Sequence, residues 1–307
     1  MPTAVTDQTV LYETKFSQLF ELLAQQQDYR VGATFTQGNY RGSKGAQVVK
    51  QVGVVEVEQR TIRGEPITFA DVPHDARWIY PQFFDRAILF DTWDELQTSA
   101  DPRSTYAREL MAAMNRKKDT VSLTALFADS KTGETGADTT SFDATNQEVA
   151  VDFESTGTNT YLTLGKIEKG VEILTANEVQ IDMEDIYFSA RAKDIRNLMK
   201  EIQVVNTQYG AGTGGRDGQP VLKDGRLVSV YGAKLVHSER HQTSGNNTWC
   251  GMWVPSGMQF GTWQDINTKI TQREDLRGQP WQVYVSGFFG ATRRQEKKVV
   301  RLLSITV

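Results

Sequence analysis

The chain has 307 residues, 39% of them hydrophobic and 23% charged, enough to bury a core in one large domain or two ordinary ones. Its net charge of −4 is the wrong sign for gripping nucleic acid through phosphates, and its single cysteine, Cys250, excludes an intrachain disulfide and any multi-cysteine metal site. No apolar run approaches the ~18 residues of a membrane-spanning helix, and MPTAVTDQTVLYETKF lacks the basic start and apolar middle of a signal peptide, so a soluble product without a membrane partner is expected.

Across residues 11–24, Leu11, Phe16, Leu19, Phe20, Leu22 and Leu23 cover one helical face and predict a short amphipathic helix. Residues 28–45 carry Gly and Arg and few apolar side chains. QVVKQVGVVEVEQRTI then alternates valines with Glu56, Glu58 and Gln59, and after the Gly64-Glu65-Pro66 turn ITFADV returns, which predicts a long β ribbon. A two-stranded ribbon is marginal in water, so its valine face needs a partner outside the ribbon.

From Ala76 the composition shifts to aromatic and β-branched residues, and the core is expected to begin there. Asp101 as N-cap and Pro102 at the first helical position open a long helix to about residue 128. Tyr106, Leu110, Ala113, Met114, Val121 and Ala125 fall near its inner face, while Arg108, Glu109, Arg116, Lys117 and Lys118 fall away from it, and Gly133 and Gly136 end it. SFDATNQEVAVDFEST contains a strand, LTLGKIEKGVEILTAN reads as a helix, DIYFSA as a strand and AKDIRNLMKEIQ as a third helix. Lys223-Asp224-Gly225-Arg226 is a turn into the strand begun by Leu227, Val228 and Val230. WQVYVSGFFGATRRQEKKVVRLLSITV reads as two strands joined by a basic turn from Arg293 to Lys298. The order is α+β, without the alternation of a doubly wound sheet.

No convergent catalytic site emerges. YGAGTGGRDG (residues 209–218) has the glycines of a phosphate loop but neither the Lys-Ser/Thr ending nor a following helix. In HSERH the glutamate stands one position away from where a zinc protease needs it, and the segment follows a strand, so His237 and His241 read as a polar loop. Asp182, Glu184 and Asp185 read as a solvated strand entrance, and His74 as structural. No Gly-x-Ser-x-Gly elbow is present. Neither an enzyme nor a cofactor or metal is expected.

The arm, the extended hairpin, the long helix ending in DTVSLTAL, TLGKIEKGVEILTANEV followed by IYFSARAKDIRNLM, and the terminal FFGATRRQEKKVVRLLSI together resemble the major capsid protein of tailed bacteriophages, with the Hong Kong 97-like fold. The resemblance covers nearly the whole chain. It implies an N-terminal arm at 1–30, an extended loop at 31–75, a peripheral domain at 76–158 with a spine helix at about 102–128, an axial domain at 159–280, and C-terminal strands closing the sheets at 281–307. It places Gly210, Gly212, Gly214 and Gly215 in a loop at the capsomer axis. It further implies copies of itself in pentamers and hexamers as partners, a portal, a scaffolding protein and decoration proteins, and double-stranded DNA enclosed in a virion assembled in the host cytoplasm. An encapsulin-like cellular compartment is the alternative, although the long arm and ribbon favour the phage. As contacts between subunits the basic residues Arg41, Lys44, Arg60, Arg63, Arg293, Arg294, Lys297 and Lys298 are the candidates, with the carboxylates around Asp182 to Asp185 as their partners on neighbours.

Overall fold

The computed structural model describes residues 23–59, 61–64, 67, 69–90, 103–155, 157–201, 222–223 and 226–306. Three helices fall among them: α1 (Arg103–Phe127), α2 (Leu164–Ala176) and α3 (Ala192–Lys200). The earlier strands are β1 (Thr36–Asn39), β2 (Ala46–Val52), β3 (His74–Ile79), β4 (Gln82–Phe90), β5 (Ser130–Thr132), β6 (Asp138–Thr140), β7 (Glu148–Val149) and β8 (Ile186–Ala190). Those that follow are β9 (Leu222–Lys223), β10 (Arg226–Leu227), β11 (Ser229–Val230), β12 (Ala233–His237), β13 (Thr243–Ser244), β14 (Asn247–Trp253), β15 (Met258–Gln272), β16 (Trp281–Arg293) and β17 (Val299–Ile305).

Two cores organise them. In the first, α1 lies on a sheet of order β1-β15-β16-β4, with Leu110, Met114, Leu123 and Leu126 packed against Phe260, Val283, Val285 and Phe289. In the second, α2 and α3 cover a seven-stranded sheet, β11-β12-β8-β14-β17-β7 with β13 on β14, around Ile167, Leu174, Phe188, Leu198, Met252 and Leu302. α2 starts where Thr163 accepts the backbone N–H of Lys166, and α3 where the Asp194 carboxylate accepts both the backbone N–H and the guanidinium Nε of Arg191. Replacing Leu110 by Asp is expected to abolish folding, because a charge beneath α1 meets only apolar side chains and costs several kcal/mol. Soluble Leu110→Asp protein with a wild-type unfolding transition would contradict this packing.

α1 is enclosed on a second side as well. Residues 23–35 cross it, and the carboxylate of Asp119 accepts the backbone N–H of Arg30 at 3.1 Å and of Val31 at 2.8 Å. Burial pushes the Asp119 carboxyl up, and those N–H groups oppose the shift. Lys118, which the sequence places outward, is only 8% exposed: its ammonium meets Asp265 at 2.7 Å and lies over the rings of Tyr29 and Phe289. Periodicity registers the sheet side of a helix and not a segment laid across its flank.

Other expectations change too. β2 pairs antiparallel with β3, from Ala46↔Ile79 to Val52↔His74, so the return strand is HDARWI and not ITFADV, and it straddles the expected domain boundary at 75. The Gly53 N–H donates to the Pro73 carbonyl at 2.8 Å and closes the base of a loop, 53–73, whose described residues form no strand. Gly133 and Gly136 do not end α1; with φ of 82° and 74° they turn β5 into β6. β15 lies in the sheet under α1, although the resemblance implies an axial domain at 159–280 that includes it, and the last two strands divide between the sheets, β16 with β15 and β4, β17 with β14 and β7.

Candidate assembly surfaces

The loop 53–73 carries the largest concentration of exposed apolar side chains among the described residues. Val54 is 92% exposed, Val57 98% and Phe69 94%, with Ile62 and Ile67 also in solvent. Monomeric surfaces rarely expose such a cluster unless a partner covers it. The alternating valines gave this face away in the sequence; Ile67 and Phe69 escaped notice because their segment reads as an ordinary return strand.

The basic turn is a different object from the one the sequence suggests. Arg293 is wholly buried, 0% exposed, and its Nη1 donates to the carbonyls of Leu126 at 2.8 Å and Ala128 at 2.9 Å, satisfying orphan groups at the C-terminus of α1. Its Nε donates to the carboxylate of Glu296, whose other oxygen lies 3.7 Å from the guanidinium of Arg77 on β3. Burial lowers the Arg293 pKa, and Glu296 opposes that. The expectation of a rim contact at Arg293 is therefore corrected: the turn between β16 and β17 is an internal joint where α1 and both large sheets meet. Lys298 is half-buried, its ammonium donating to the Ser256 hydroxyl at 2.7 Å. Arg294 is half-buried and its carbonyl accepts from the Gln51 side chain, while Lys297, Arg41, Lys44 and Arg63 are exposed. Arg60 lies outside the described residues, as do Gly210, Gly212, Gly214 and Gly215.

Of the carboxylates, Asp185 already pairs with Lys234 at 2.7 Å and Glu184 accepts the backbone N–H of Ser256, which leaves Asp182 on the surface beside the exposed Met183. Among the described residues no group of three His, Cys, Asp or Glu side chains is placed to hold a metal ion. No described helix is long and apolar enough to cross a membrane.

A family model described as phage capsid protein matches residues 9–305. The chain belongs to the phage capsid protein family. A search of the curated proteins finds no match. Solved structures agree on the fold. The capsid structure of cyanophage P-SCSP1u is 15% identical with a TM-score of 0.67, covering 96% of this chain and 94% of that one. The cyanophage Pam1 capsid is 9% identical with a TM-score of 0.73, covering 97% of each. The capsid of Ralstonia phage GP4 is 12% identical with a TM-score of 0.65, covering 99% and 98%. The α+β architecture is thus the Hong Kong 97-like fold, the role is structural and not enzymatic, and the cellular-compartment alternative gains no support.

This capsid protein holds its second core together with charges that sequence reasoning missed. Lys166, fully buried on α2, points its ammonium at the carbonyls of Val151, Thr160, Tyr161 and Leu303, all within 2.8 to 3.1 Å, and burial pulls its pKa down to about 8. Asp194 is fully buried, and accepts from Arg191 and Ser304; burial raises its carboxyl pKa, but those hydrogen bonds outweigh it and the net shift is down. Beside this pair the His241 ring nitrogens are enclosed, and burial holds the imidazole at about 4 against Asp194 and Glu239, with Arg191 assisting. A lone lysine or histidine in a mixed segment carries no signal of such burial.

The depressed His241 pKa has a thermodynamic sign. The unfolded chain binds a proton near the ordinary 6.5 and the folded one only near 4, so this contribution to stability is complete above 6.5 and is lost as pH falls toward 4. Thermal unfolding of the unassembled subunit at pH 7.5 and 4.5 is expected to show a smaller loss in His241→Gln than in the wild type. An identical loss in both would place the acid-sensitive group elsewhere.

Proposed function

We propose that this chain is the major head protein of a tailed phage, closing with its copies into an icosahedral shell of pentamers and hexamers around double-stranded DNA. Capsid-family membership supplies the shell. The observation that carries the rest is the loop 53–73, whose apolar side chains stand in solvent although both cores are complete without it. In this reading the loop lies over a neighbouring subunit, residues 1–30 form the arm, α1 with its four-stranded sheet forms the peripheral unit, and α2 and α3 with the seven-stranded sheet form the axial unit. The loop holding Gly210, Gly212, Gly214 and Gly215 adjusts around the capsomer axis. Arg41, Lys44, Arg60, Arg63, Arg294, Lys297 and Lys298 fix register at subunit rims, where charges set geometry more than affinity.

The net charge of −4 suits a container, since a cationic wall would trap DNA sliding into it. Assembly in the host cytoplasm with a portal, a scaffolding protein and decoration proteins completes the proposal. Electron microscopy of purified particles tests it. Uniform icosahedral shells containing DNA are the expected result; small particles filled with protein cargo, or monomers and dimers only, would sink it.

A further inference from the structure

We propose that the joint around Arg293 binds a small monovalent anion, chloride by size, between the guanidiniums of Arg77 and Arg293. The inference does not depend on the shell reading. Arg77 on β3 is only 6% exposed, and Arg293 at the end of β16 is wholly buried. Nε and Nη1 of Arg77 and Nη2 of Arg293 are enclosed and have no hydrogen-bond partner among the described residues, and neither has Oε1 of Glu296. Buried polar groups are almost always hydrogen-bonded, and a charged group is the costliest to leave without a partner. The two guanidiniums bracket one carboxylate. Nε of Arg293 donates to Glu296, whose Oε1 lies 3.7 Å from Nη2 of Arg77, outside hydrogen-bond reach. Because a guanidinium is a rigid planar fork, the unpaired donors of both arginines stay close to that carboxylate.

Charge and donor count both call for a negatively charged acceptor. Two guanidiniums against one carboxylate leave a positive charge in surplus. The other acids nearby are committed elsewhere. Asp75, 3.8 Å from Arg77, is 40% exposed and accepts the backbone N–H groups of Ala76 and Gly133, Asp143 accepts from Thr145 and Asn146, and Asp129 stands in solvent. The carbonyls of Leu126 and Ala128 engage Nη1 of Arg293 and leave Nη2 over. A water molecule brings no charge to such a site, whereas a halide accepts from several N–H groups at once and balances the surplus. Glu296, whose side chain is 19% exposed, marks the side from which the ion enters. An anion held there ties β3, and with it the base of the 53–73 loop, to the turn between β16 and β17 and to the end of α1.

Thermal unfolding of the unassembled full-length subunit, with chloride replacing gluconate at fixed ionic strength, tests the site. A saturable rise of the midpoint by about 3 °C is expected between about 1 mM and about 100 mM chloride, because an ion that binds only the folded chain stabilises it by mass action. Bromide should match chloride. Arg77→Met removes the surplus cation at similar volume, so its midpoint should not respond to chloride. Chloride NMR reads the native state directly: the line broadening that wild-type protein imposes on the ion should be lost in the variant. Arg77→Lys, which keeps the charge without the fork, guards against a Met variant that fails to fold; it should need roughly tenfold more chloride for half the shift. A wild-type midpoint indifferent to chloride would mean that water alone fills the joint, and it overturns the proposal. So does an equal chloride response in the wild type and either variant, which places the ion elsewhere on the protein.

Discussion

Excising residues 54–72 and joining Gly53 to Pro73 through a two-residue turn is expected to leave a folded subunit that forms no closed shell. The ends of the excised segment are already held together by the Gly53 N–H and the Pro73 carbonyl, at the end of an antiparallel ladder where a two-residue connection is the natural closure. The described apolar residues of the loop, Val54, Val57, Ile67 and Phe69, bury little in the subunit, so their loss should change its stability by no more than about 0.5 kcal/mol. In an assembly the same side chains are the ones with surface left to bury, and every subunit loses that contact at once. Thermal unfolding of the unassembled protein beside light scattering of the assembly reaction separates the two effects. Full-sized particles from the shortened chain would show that the loop is dispensable. A larger deletion beginning at Gly38 is a poorer experiment, because β1 and β2 belong to the sheets of the body.

Arg293→Glu is expected to destroy the fold, whereas Arg294→Glu is expected to change stability by less than about 0.5 kcal/mol. Reversal at 293 aims a carboxylate at the Leu126 and Ala128 carbonyls and at Glu296, in a site with no solvent access, after removing the donors that closed the end of α1. Removing one partner of a buried pair costs about 3 to 5 kcal/mol, and reversing its sign costs more, which approaches the whole stability of a typical domain. The milder Arg293→Met keeps much of the volume and should lower the unfolding temperature while leaving soluble protein. Arg294 is half-buried and makes its hydrogen bonds to Gln51 and Gly257 through its backbone, while its guanidinium acts on the Tyr40 hydroxyl only through its charge, which leaves the side chain available for assembly. Soluble Arg293→Glu protein with an unchanged transition would mean that the turn faces water after all.

The sequence by itself determined the local elements and the family. α1, predicted from Pro102 to about 128, runs from Arg103 to Phe127, and α2, β8 and α3 stand where TLGKIEKGVEILTAN, DIYFSA and AKDIRNLM place them. Helices were legible because they close their hydrogen bonds four residues away and announce their buried face by its period. The partnerless valine face was legible for a similar reason, since alternation shows which side chains share a side. What covers a side chain, and which strand pairs with which, are not local properties, and only the tertiary structure decided them. Gln282 finds Leu89, nearly two hundred residues earlier, while β17, six residues beyond β16, joins the other sheet. Arg293 and Lys118 look like any solvated cations until Leu126, Glu296, Asp265 and Tyr29 close around them. A charge can be buried only where the fold brings it a partner, and that partner comes from a distant part of the chain.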